Sequence, residues 1–115
     1  MSDDFLISYE PASGEELWRG PYGDVDAAVS TARRAWAAWA GRAIGERIEI
    51  LRAFANAVRR DSETLAELIA REAGKPLWEA RTEVDSVVAK VDIAVQAYAE
   101  RTGKKKFDAG LNASS

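Results

Sequence analysis

The sequence predicts a mainly α chain of about four helices behind a short N-terminal β-hairpin. Three observations predict it. Apolar residues recur at three- and four-residue spacing from residue 25 to about 101, the period of one helix face. Turn-forming residues interrupt those runs at Gly41, Asp61 and the Gly74–Pro76 step. Only residues 5–20 carry short apolar, β-branched stretches around a Pro-x-Ser-Gly turn. The chain divides accordingly into a hairpin and turn at 1–23, a helical segment at 24–103 and a basic, then polar, tail at 104–115. We read all three as one partial domain.

The hairpin pairs Phe5–Tyr9 with a return strand through Leu17 and Trp18, turning at Pro11-Ala12-Ser13-Gly14 and ending near residue 19. Asp24 is an N-cap candidate for a first helix over 25–40, because its carboxylate can accept from the first free N–H groups. The apolar stripe there is Val25, Ala28, Val29, Ala32, Trp36 and Trp39. Two Trp residues one turn apart can form a stacking platform, but among so many alanines they read better as core.

Gly41 ends that helix, and a second over 45–60 turns Ile44, Ile48, Leu51, Phe54, Ala55 and Val58 to one side. Its start is poorly capped, since Ala43 has no side-chain acceptor. Asp61 or Ser62 breaks the pattern and can cap a third helix over 62–73, with Leu65, Leu68 and Ile69 inward. A fourth runs over 76–101 with the stripe Val84, Val87, Val88, Val91, Ala94, Val95 and Tyr98. Glu79, Glu83, Arg81 and Lys90 form its solvated or partner-facing side.

Composition excludes several functions. At 115 residues, 47% hydrophobic and 30% charged, the chain reads as one soluble domain or part of one. That length can bury roughly two thirds of the unfolded surface. A net charge of −3 gives no field that favours nucleic acid or an anionic membrane. No apolar run approaches the roughly 20 residues of a membrane span. The acidic start Met1-Ser2-Asp3-Asp4 lacks a signal peptide's basic flank, so the expected location is cytoplasmic. The chain has neither cysteine nor histidine. It therefore lacks a thiolate nucleophile, a Cys-based metal site and the commonest general base. No catalytic, cofactor-binding or metal-binding residue is assigned.

The stretch "REAGKPLWEA" at 71–80 raises the one alternative. A Gly-Lys pair can belong to a phosphate-binding loop, but that loop needs an earlier Gly where Ile69 stands and a Ser or Thr where Pro76 stands. The helix–turn–helix reading fits every position. Gly74 takes a left-handed turn, Lys75 meets the helix dipole, and Pro76 opens the next helix ahead of Glu79. Lys104-Lys105-Lys106 likewise reads as a solvated helix end.

Taken together, "EPASGEELWRG", "DVDAAVSTARRAWAAWA" and "GERIEILRAFANAVRRDSETLAELIAREAGKPLWEARTEV" resemble the N-terminal part of an aldehyde dehydrogenase. The matching positions are Pro11, Ser13, Gly14 and Glu15, then Glu72, Gly74, Lys75 and Pro76, then Glu79, Ala80, Glu83 and Val84. Trp78, "SGEELWRG" and "AYAERTG" narrow the resemblance to a branch that oxidises a semialdehyde with NAD in bacterial arginine breakdown. The resemblance implies the N-terminal piece of that fold, with an incomplete α/β cofactor domain. Because the family's nucleophilic Cys, deacylating Glu, oxyanion Asn and dinucleotide-binding sheet lie downstream, it also implies that this chain alone binds no cofactor and is inactive.

Two classes of function follow. One is a fragment whose partner is the remainder of a parent enzyme, or a second copy of itself. The other is a stand-alone helical interaction module without catalysis. Neither calls for nucleic acid, membrane or metal, and a nucleotide-binding protein has little support.

Overall fold

A computed structural model describes residues 4–102. The expectations for Met1–Asp3 and for the tail at 104–115, its lysine run included, lie outside the described residues. The order is β1 (Phe5–Tyr9), β2 (Glu16–Pro21), α1 (Val25–Ala40), α2 (Ile44–Arg60), α3 (Ser62–Ala73) and α4 (Leu77–Thr102). Every expected element is present, with boundaries shifted by two residues at most.

β1 and β2 pair antiparallel from Phe5↔Pro21 to Tyr9↔Glu16, with an irregularity between Ser8 and Tyr9. The turn closes through Gly14 N–H to Glu10 O at 2.7 Å and Glu10 N–H to Glu15 O at 2.8 Å. Gly14 carries the positive φ of 76° that this reversal demands.

Asp24 caps α1 as expected, its carboxylate accepting from Ala27 N–H at 2.9 Å. Ala43 leaves α2 without a side-chain cap. Asp61 does not cap α3 with its side chain. At φ −97° and ψ 14° it lies outside the extended conformation in which a cap aims its oxygen inward. Its carbonyl accepts from Leu65 N–H at 3.0 Å, and its carboxylate pairs with Arg60. One residue therefore joins α2 to α3.

The core lies where α2 and α3 pack on α4. One cluster joins Ala55, Val88 and Val91 with Leu51 and Val58 around them. A second joins Ala66, Ala80 and Val84, with Val58 shared and Leu65, Ile69 and Ala70 alongside. Ala66 and Ala80 are fully buried. Small side chains at these seams let the helix backbones approach closely. The larger apolar residues lie at the margins: Phe54, Leu68, Val87 and Tyr98, all expected inward, are exposed.

α1 departs furthest from expectation. None of its residues is buried. Its stripe has the right period, but Trp36 keeps 69% of its surface exposed. Only Trp39, at 37%, reaches the α2–α4 pair. The described residues are correspondingly open, with Val25, Val29 and Trp36 more than half exposed and six apolar residues buried among α2, α3 and α4.

Candidate functional site

Among the described residues, the α3–α4 corner and a cleft between α2 and α4 each bring chemically capable side chains together. At the corner, Gly74 ends α3 in the left-handed conformation, φ 69°. Its N–H donates to Ala70 O at 2.9 Å, so it is already committed. Pro76 has no N–H, and its carbonyl accepts from Glu79 and Ala80 at 3.1 Å each, opening α4. The Lys75 ammonium pairs with Glu83 and lies 3.9 Å from Glu79. Those carboxylates raise its pKa, the Glu83 hydrogen bond most. Lys75 was expected at the negative end of α3, but its partners are on α4, where two carboxylates offer a fuller charge than carbonyl dipoles.

A phosphate at this corner would compete with two carboxylates for one ammonium, and Pro76 has no N–H to offer it. The corner is a turn, and it is also where the hairpin docks. Arg71 Nε donates to Glu10 Oε2 at 2.6 Å, and Trp18 Nε1 donates to the Glu72 carboxylate. A Cβ on Gly74 would lie 3.3 Å from Pro11 Cβ, so the hairpin turn sits directly on the helix turn. The Arg71 hydrogen bond, with a second from Ser13, holds the Glu10 carboxyl below its ordinary value. On the outer face Arg81 donates to both oxygens of Glu63, at 2.5 and 3.1 Å, and tethers α4 to the first turn of α3.

The cleft, about 190 Å³, is lined by Trp39, Ile44, Arg47, Ile48, Leu51, Ala94, Val95 and Tyr98. All but Arg47 belong to the apolar stripes expected from the sequence. Arg47 lies three residues after Ile44 and four before Leu51, which places a guanidinium on an apolar helix face. That interruption was the available signal for it. Its Nε is shielded from solvent and has no hydrogen-bond partner among the described residues.

Neither place fits a dinucleotide. Such sites use the C-terminal ends of parallel strands and a helix N-terminus with free N–H groups. The described residues supply one antiparallel pair, and its partner elements are spent on the corner. Among the described residues no three His, Cys, Asp or Glu side chains cluster as metal ligands. No described helix is long and apolar enough to cross a membrane.

The chain belongs to the aldehyde dehydrogenase family, whose sequence profile matches residues 2–114. It is similar to N-succinylglutamate 5-semialdehyde dehydrogenase of Novosphingobium aromaticivorans, 58% identical over 106 residues, which are 92% of this chain and 22% of that protein. The enzyme of the same name from Sphingopyxis alaskensis is 58% identical over 111 residues, 96% of this chain and 23% of its own length. That from Paraburkholderia xenovorans is 52% identical over 104 residues, 88% and 21%. The chain thus spans less than a quarter of the length of the curated relatives it matches.

Proposed function

We propose that these residues form the N-terminal part of an NAD-dependent aldehyde dehydrogenase that oxidises N-succinylglutamate 5-semialdehyde to the carboxylate in the cytoplasm, as a step of arginine breakdown. One observation carries the reading: 58% identity to relatives of that name, sustained over nearly the whole chain. The thiolate that attacks the aldehyde has to come from outside these 115 residues, because they contain no Cys. On this reading the nicotinamide site comes from elsewhere too, which the single antiparallel strand pair among the described residues supports. What this part contributes is a scaffold: a hairpin, a three-helix seam and an exposed α1 face available to the rest of the enzyme.

The test is a graft. Residues 1–115 replace the matching stretch of the Novosphingobium enzyme, and NADH formation from N-succinylglutamate 5-semialdehyde is followed by absorbance. An active chimera, beside an inactive 115-residue chain, supports the reading. NADH formation by the 115-residue chain alone overturns it.

The openness of α1 favours a second reading, a helical interaction module that pairs with a second copy of itself. An oligomer of the 115-residue chain whose α1 is protected from solvent would support it.

A further inference from the structure

The α2–α4 pair forms a second cleft, of about 350 Å³, lined by Arg52, Ala55, Asn56, Arg59 and Asp92. It shares no lining residue with the apolar one. Arg52, Asn56 and Arg59 stand at i, i+4 and i+7, so their side chains rise from one face of α2. Arg52 and Arg59 start roughly 10 Å apart along the helix axis. Ala55, 4% exposed, makes the floor, and Asp92 on α4 completes the wall.

These charges are gathered without being paired. Among the described residues Arg52, Arg59 and Asp92 form no ion pair with each other or with any other group. Arg71, Lys75 and Arg81, by contrast, each reach a carboxylate elsewhere in the chain. Arg59 is held on α2 instead, where its Nη1 donates to Asn56 Oδ1 at 2.9 Å. The Asn56 amide keeps its own N–H groups as further donors. Two guanidiniums and one carboxylate give the cleft a net charge of about +1. A ligand that answers all three needs two anionic groups and one cationic group. A simple dicarboxylate or a phosphate leaves Asp92 facing like charge. An amine alone meets two repelling arginines.

We propose that this cleft binds an acidic α-amino acid of the size of glutamate. Its two carboxylates are taken by Arg52 and by the Arg59–Asn56 pair, and its ammonium by Asp92. The proposal does not depend on the proposed function, since every group it uses lies on α2 and α4. All four polar side chains are exposed, so water competes and the affinity is modest. Such a site responds to an abundant metabolite rather than to a trace effector.

The experiment titrates the isotope-labelled 115-residue chain with L-glutamate, and separately with succinate, which has both carboxylates but no ammonium. Amide spectra locate the site and give the affinity. L-Glutamate should move the Arg52, Asn56, Arg59 and Asp92 signals saturably and bind severalfold more tightly than succinate. Arg52→Met and Arg59→Met should each weaken it by roughly fivefold, the scale of one partly exposed charge pair. Asp92→Asn should reverse the preference, because succinate loses a repelling charge and glutamate loses a partner. Arg33→Met, on α1, should change nothing. Circular dichroism checks that each variant folds, and the glutamate–succinate comparison on the unsubstituted chain stands even if one does not.

Shifts that stay linear in L-glutamate, or that potassium chloride reproduces at equal ionic strength, overturn the proposal. Succinate binding as tightly as L-glutamate overturns it too, as does an unchanged affinity in a folded Arg52→Met chain.

Discussion

Glu10 shows what one side chain does for this fold. It is brought under Arg71 by the hairpin turn, and the hydrogen bond from Arg71 lowers its pKa below the ordinary 4.5. A carboxyl with a lowered folded-state pKa contributes stability that is present above its unfolded value. That stability is lost as pH falls through the folded value. Acidification below about pH 4.5 should therefore loosen the hairpin from the α3–α4 corner before it melts the helices. In two-dimensional amide spectra the Gly74 and Trp18 signals should move first, and Glu10→Gln should remove the part of that response due to this pair. Gly74 offers a second test. Its φ of 69° costs an L-residue strain, and an added Cβ would press on Pro11. Gly74→Ala should cost about 1–2 kcal/mol in chemical unfolding. A neutral result would show that the corner does not need the left-handed turn.

Among the elements, α1 and α4 are opposites. α4 buries Ala80, Val84, Val88 and Val91, one residue per turn, and serves as the strut for α2 and α3. α1 has no buried residue, so apart from Trp39 its 16 residues are held mainly by local terms, and isolated helices near that length are marginal in water. Asp24→Ala should thus cost about 1 kcal/mol, read in faster amide exchange within α1 and not in the global unfolding midpoint. An unchanged exchange rate would mean that something other than the cap holds α1. The same contrast explains what was legible in sequence. Boundaries were, because Asp24, Gly41 and Gly74 act on their immediate neighbours and carry that chemistry wherever they stand. Burial was legible only in part. Periodicity names the face that is apolar, but not whether another element covers it, so Val25, Val29 and Trp36 read as core and lie exposed. The seams were missed at Ala66 and Ala80, since an alanine adds little to an apolar pattern yet permits the closest packing. Arg47 was overlooked because a charged residue on a stripe looks like noise until its partners are counted.

At the scale of the molecule, the uncovered surfaces decide behaviour in solution. The α1 stripe, the Phe5–Leu6 edge and Trp78 are exposed together with the cleft, more apolar surface than an independent monomer ordinarily leaves in water. The 115-residue chain alone should self-associate, with light scattering giving a mass above 12.6 kDa that grows with concentration. A clean monomer across concentrations would count against both proposed partners of the α1 face. Under the proposed function, addition of the rest of a relative's chain should reverse the association, because both processes would draw on the same surface.

The hairpin's seat on the α3–α4 corner also has a consequence for how the chain is made. Glu10 and Arg71 are 61 positions apart, and Trp18 and Glu72 are 54. The strands leave the ribosome first, but the turn they rest on does not exist until Gly74 has been added. At ordinary rates of synthesis that interval lasts roughly 3–12 s. A two-stranded ribbon is barely stable by itself for so long. Through those seconds Glu10 and Trp18 wait without the partners that hold them in the fold, residues made early depending on residues made late.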